Sequence, residues 1–156
     1  MNGMFWMALL AVAILAGSGL LLIRPWLRMR KDRQIAAARQ LFHRQREHLE
    51  AKFYDLAAHS GKPRGLRWVD CDFSDDVTLV RERPTRQLSA FVAVTISFEA
   101  IEGGGMEDVE AVGNLRAATA VFYFDRGAWA TRGRVIMNLE PAEAIERFQA
   151  QLEPIR

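Results

Sequence analysis

Cysteine occurs once in this chain, at Cys71, so no intrachain disulfide can form and no CxxC pair exists. A lone thiol fits a reducing compartment. Histidine occurs three times, at His43, His48 and His59. On a helix, His43 and His48 project about 140° apart, so they are not the i,i+4 pair that holds zinc. The segment H-R-Q-R-E-H is likewise not H-E-x-x-H. Gly61-Lys62 lacks the rest of a phosphate loop, and no Ser/His/Asp set or dinucleotide fingerprint is present. The signatures of nucleophilic, redox, nucleotide and zinc chemistry are missing, and neither a metal nor a cofactor is expected.

The largest absence is of charge. Met4–Ile23, MFWMALLAVAILAGSGLLLI, has twenty residues and no charged side chain. As a helix it measures roughly 30 Å, the thickness of a bilayer's hydrocarbon core. A cleaved leader wants cations before a short apolar run. Met1-Asn2-Gly3 supplies none, and Leu20-Leu21-Leu22-Ile23 prolongs the run beyond the small residues Ala16 to Gly19. The reading is an uncleaved, single-pass transmembrane helix, a signal-anchor. Phe5, Trp6 and Trp26 stand at its ends, where amphipathic rings meet headgroups. Gly17 and Gly19 lack the G-x-x-x-G spacing of a helix-dimer face.

The segment after the apolar run is basic. Arg24, Arg28, Arg30, Lys31 and Arg33 are five cations within ten residues. The positive-inside rule places residues 1–3 outside as a short stub and the C-terminal domain in the cytoplasm, at the inner face of the cell membrane. From Arg24 to Arg67 there are twelve Lys/Arg against four Asp/Glu, a net +8; from Trp68 onward, nine against fifteen, a net −6. The basic part lies where anionic lipid headgroups are expected as partners, at about 1 kcal/mol per cation near the surface. Nucleic acid is not an expected partner, because the basic segment carries no recognised module.

Lys31 to Ser60 predicts one long helix, free of Gly and Pro until Gly61. Ile35, Ala38, Phe42, Leu49, Phe53, Leu56 and Ala57 follow helical spacing, interrupted by Gln45 and Arg46. Residues 24–48 are therefore expected as a basic stalk, and 49–156 as a soluble α+β domain. Within it, Leu66 to Phe73 and Val77 to Arg83 predict two strands parted by a turn at Ser74-Asp75-Asp76. Leu88 to Glu99 alternates with period two; at roughly 40 Å it needs a bulge or strong curl. A loop over 101–114 carries the run Gly103-Gly104-Gly105 and no cation. Leu115 to Phe124 and Ala128 to Leu139 predict further strands, with a turn at Asp125-Arg126-Gly127 and a bulge at Gly133. Pro141 opens a short helix lined by Ile145, Phe148 and Leu152. The fold class is α+β: a long helix packed on a curled antiparallel sheet of about five strands, then a short C-terminal helix.

This element order resembles the cystatin-like and nuclear-transport-factor-2-like architectures, though no motif of either is present. The stretches GKPRGLRWVDCDF, EGGGMEDVEAVGNLRAA and NLEPAEAIERF resemble a group of uncharacterised bacterial membrane-anchored proteins. That resemblance implies a tethered module and no known activity.

Two functions compete. The first is non-catalytic binding of a protein partner, through the sheet or through the acidic loop residues Glu107, Asp108 and Glu110. The second is a small-ligand or enzymatic pocket between the long helix and the curled sheet, walled by Trp68, Asp70, Asp72, Tyr123 and Trp129. Asp70 and Asp72 are expected to share one strand face, opposite Val69, Cys71 and Phe73. D-x-D-x-S resembles the start of a calcium loop. Asp75 stands where that loop needs Gly, however, and Arg81 where it needs the bidentate Glu.

Overall fold

The computed structural model describes residues 2–60 and 63–155, with side chains at Met7, Trp26, 29–60 and 63–155. The expected span Met4–Ile23 therefore lies, Met7 apart, outside the described side chains, as do Arg24 and Arg28. Among the described residues no helix is long and apolar enough to cross a membrane. The chain divides into two compact units, Met1–Gln40 and Leu41–Arg156. Helix α1, Asn2–Ala58, supplies the first unit and continues into the second. In the first unit Arg30, Lys31 and Arg33 are exposed, and the Arg30 guanidinium lies 5.7 Å from the centre of the Trp26 ring.

The second unit begins earlier than expected. Phe42 is fully buried, 0% exposed, against Phe122 and Trp129 at centroid distances of 5.2 Å each. The boundary falls at Leu41 and not at residue 49, so residues 41–48 belong to the domain and not to a stalk. The polar gap that suggested a stalk is a contact. Arg46 hydrogen-bonds the carbonyls of Ser74 and Asp75 and pairs with Glu50 on its own helix.

That contact explains a second correction. Ser74-Asp75-Asp76 is not a turn between two strands; it is a bulge inside one long strand, β1, Leu66–Glu82. Phe73 faces Val94 while Val77 faces Val92, so β1 carries two more residues than its neighbour there. The displaced carbonyls lose ladder partners, and the Arg46 guanidinium takes them. Hydrogen bonds from a charged donor contribute roughly 1.5–3 kcal/mol each.

The other strands are β2, Leu88–Ala100, β3, Arg116–Asp125, β4, Ala128–Met137, and β5, Leu152–Pro154. They form a curled antiparallel sheet in the order β4-β3-β2-β1-β5. The total of five matches the expectation, but the membership differs: two expected strands merge into β1, and β5 is additional. Leu152, expected on the terminal helix, lies in β5 and faces Glu82 of β1. Bulges also occur between Trp68 and Asp70 and on β4 opposite Val121 and Phe122. Each adds local twist, and together they curl the sheet.

Both faces of the sheet are covered, but unequally. The concave face meets the second half of α1, where Phe42, Leu49, Phe53 and Ala57 are all buried. Phe53 stacks edge-on against Phe73 at 5.6 Å and also reaches Phe122. The opposite face carries a smaller core of Val80, Phe91, Val121, Ala144 and Leu152. Its cover is the short helix α2, Pro141–Arg147. Pro141 opens it, and Glu140 with Glu143 forms a reciprocal capping box that satisfies its first amides. Seven residues, about two turns of helix, shield only part of that face, so the sheet stays open on either side of α2.

Candidate functional site

The five residues expected to wall one pocket do not meet. Trp68 and Trp129 both lie in the concave core, 6% and 5% exposed. Trp68 is level with Phe98 on β2, and Trp129, through Phe124, with Leu88. Ten strand positions, roughly 33 Å, separate those levels. Trp68 packs on Phe98 and Tyr54, and Trp129 on Phe42 and Phe124. The space between them is occupied by the α1 side chains.

Asp70, Asp72 and Tyr123 lie on the opposite face. Asp70 and Asp72 share it as expected, level with Ser97 and Thr95. Tyr123 lies level with Ser89, further along β2. Val69 does not join Cys71 and Phe73; it is the extra residue of the first bulge and is 52% exposed.

Burial pushes the Cys71 thiol up to about 12, with the charges of Asp70, Glu50 and Asp72 adding to it. The thiol is therefore neutral at ordinary pH, and Cys71 serves as a small apolar side chain. At pH 8 its alkylation by iodoacetamide is expected to run roughly a hundredfold or more below that of a free thiol, because the thiolate is the nucleophile. Mass spectrometry against glutathione checks this; a rate within tenfold of glutathione would contradict it.

The acidic loop is built around backbone contacts. Gly65 and Gly104 pack so closely that a Cβ on Gly104 would stand 2.9 Å from the Gly65 Cα. The Ile101 amide donates to the Gly65 carbonyl at 2.9 Å. Glu107 accepts a hydrogen bond from the Gly103 amide. Amides of Glu107 itself, Gly103, Gly105 and Met106 hold its carboxyl below the usual carboxylate range, against an opposing push from desolvation. Glu107 thus folds the loop, whereas Asp108 and Glu110 point to solvent.

On the open face, α2 separates two grooves of opposite character. One, of about 450 Å³, is lined by Asp72, Ser74, Asp76, Thr78, Thr95 and Glu140. The other, of about 250 Å³, has Ser89, Tyr123, Arg132 and Arg134 along its walls. It continues past Val121 and Arg134 into a mixed recess of about 140 Å³, where Phe91, Ile136 and Phe148 meet Glu82 and Gln151. The Arg132 guanidinium lies 4.8 Å from the centre of the Tyr123 ring, a cation–π arrangement that keeps it over the groove. Sequence reasoning found Asp72 and Tyr123 but missed Arg132, Arg134 and Ser89. The available signal was Arg132-Gly133-Arg134, two arginines on either side of a glycine already expected to break the strand.

Among the described residues no group of three or more His, Cys, Asp or Glu side chains is placed to hold a metal ion. Comparison with family models, curated proteins and solved structures found no match to this chain, so each role assigned to a residue rests on its own geometry.

Proposed function

We propose that this chain is a membrane-tethered α+β module at the inner face of the membrane, and that it works by binding a protein partner and not by catalysis. The tether is supported by the uncharged run Met4–Ile23 and by Arg24, Arg28, Arg30, Lys31 and Arg33 behind it. These cations suit anionic lipid headgroups. The observation that carries the binding reading is the filled concave face. Phe42 and Phe53 fill the middle of the concave face; what stays accessible is a recess of about 330 Å³ at its edge, between Ala57, Trp68, Gly133 and Met137, and the grooves on the other face. Open charged grooves suit segments of other proteins better than small reactants, which favour enclosed sites.

A photo-reactive amino acid at Tyr123, in the full chain in cells, tests the binding reading. A discrete protein adduct is expected; its absence at Tyr123 and also at Thr95 removes the reading. An enzyme active only outside the cytoplasm, fused after Arg156, tests the tether. It is expected to be silent, in a protein that stays with the membrane through alkaline extraction.

A further inference from the structure

β4 is the last strand of the sheet, with β3 on one side and, among the described residues, no strand on the other. After the bulge, residues 134–137 pair regularly with β3, from Val121 back to Ala118. The Asn138 amide donates to the Ala117 carbonyl at 2.9 Å. In an antiparallel pair, residues that bond inward alternate with residues that face outward. Ile136 and Arg134 therefore turn their backbone groups to β3, and Val135 and Met137 turn theirs away. Among the described residues nothing bonds those two amides and two carbonyls.

The side chains beside this edge border recesses on both faces of the sheet. Gly133, Val135 and Met137 border the concave recess of about 330 Å³, together with Trp68. On the opposite face Arg134 and Ile136 border the recess of about 140 Å³, and Arg132 joins Arg134 in the groove of about 250 Å³. Val135, Ile136 and Met137 are only partly buried, so apolar surface is left for a neighbour. Arg132 and Arg134 form no ion pair among the described residues. The carboxylate of the groove, Glu82, accepts instead from the Thr85 hydroxyl at 2.8 Å. Exposed arginines by themselves specify nothing; here they stand beside an open backbone edge.

We infer that residues 134–137 take up an extended segment of a partner protein as an added edge strand, in which carboxylate and apolar side chains alternate. A strand laid about 4.8 Å outside β4 completes the ladder at Val135 and Met137. Its side chains leave alternately to the two faces. On one face they meet Arg132 and Arg134, which bond carboxylates best. On the other they reach the recess bordered by Trp68, Val135 and Met137, which favours apolar groups. A second copy is a poor occupant. Its own β4 would crowd four arginines onto one face of the joint, and its free β1 edge is broken by bulges at Val69 and at Ser74–Asp76. The inference rests on the proposed protein-binding function and names the partner's conformation and chemistry.

The test titrates the full chain, in mild detergent, against a fluorescent peptide of about ten residues that alternates glutamate with valine, read by anisotropy. Saturable binding with a Kd below roughly 100 µM is expected. The same peptide N-methylated along its backbone keeps its charge but cannot pair as a strand, and should bind at least about tenfold more weakly. R132E/R134E should weaken binding of the unmethylated peptide by a similar factor. So should Val135→Pro, which deletes one outward amide and spares every bond to β3, with an unchanged thermal melt as its control. No saturable binding at roughly 1 mM peptide overturns the inference. Equal binding of the methylated peptide overturns it too, because charge alone would then hold the ligand, and this arm decides even where Val135→Pro fails to fold. If the peptide does not bind while the Tyr123 probe still captures a discrete protein, strand addition falls and the proposed function stands. If neither occurs, both fall.

Discussion

Gly133→Ala is expected to be among the most damaging single substitutions in the domain, costing about 3 kcal/mol or more. Gly133 has φ +67°, in the left-handed region. Entering that region costs a residue with a Cβ roughly 1–2 kcal/mol. Space adds to this. A Cβ at Gly133 would lie 2.7 Å from the Ala57 nitrogen and 2.9 Å from the Leu56 carbonyl carbon. These are backbone atoms of α1, so no side-chain rotation relieves the clash. Either the last turn of α1 lifts or β4 shifts, and both loosen the concave core. Denaturant unfolding measures the loss, and Gly113→Ala is the control. Gly113 has open space around its Cβ position and ordinary φ, so a change within about 0.5 kcal/mol is expected there. Equal effects at the two positions would remove the close-approach argument.

Phe42→Ala is expected to cost roughly 3–5 kcal/mol, the usual range for emptying a buried aromatic site. The ring is wholly buried, and its edge contacts to Phe122 and Trp129 would be lost together. Those rings come from β3 and β4, so the cavity would open between helix and sheet where neither side can easily collapse. Against a total stability of about 5–15 kcal/mol, such a loss leaves the domain marginal. The result also decides the domain boundary. Were residues 24–48 a solvated stalk, Phe42→Ala would change stability by less than about 0.5 kcal/mol. A thermal melt of the full chain monitored by near-ultraviolet circular dichroism distinguishes the two, because that signal reports the packed aromatic rings.

The elements with strong periodicity were legible in the sequence. The alternation of Leu88 to Glu99 becomes β2, and Asp125-Arg126-Gly127 becomes a tight hairpin turn with positive φ at Arg126 and Gly127. Gly133 is the bulge its place in a strand suggested. What was illegible depends on partners distant in the chain. Ser74-Asp75-Asp76 has the composition of a turn, and only Arg46, 28 and 29 residues away, makes it a bulge. Three-residue β5 has no period to detect; β1 recruits it by pairing, with the Ile155 amide donating to the Leu79 carbonyl.

The candidate site shows the same division. Strand parity correctly joined Asp70 with Asp72, but it also placed Trp68 beside them. The single extra residue at Val69 reverses that parity, and Trp68 enters the core while the aspartates stay outside. One inserted residue thus dissolved the expected pocket. The arginine groove escaped notice because Ser89 and Tyr123 come from β2 and β3 while both arginines come from β4, and only the register aligns them.

The bulges of β1 also bear on how such a chain survives at high local density. β5 covers only Val80 to Glu82, which leaves the outer edge of β1 from Leu66 to Thr78 without a neighbouring strand. A long, flat edge of that kind would template pairing with foreign strands and seed aggregates. Here the edge is broken at Val69 and again at Ser74–Asp76. Arg46 occupies carbonyls at the second break, and the Tyr54 hydroxyl donates to the Val69 carbonyl at 3.3 Å. The regular pieces that remain are only a few residues long, and Asp70, Asp72, Asp75 and Asp76 surround them with negative charge. An incoming strand finds no continuous ladder to extend, so crowded copies are steered away from amyloid-like stacking.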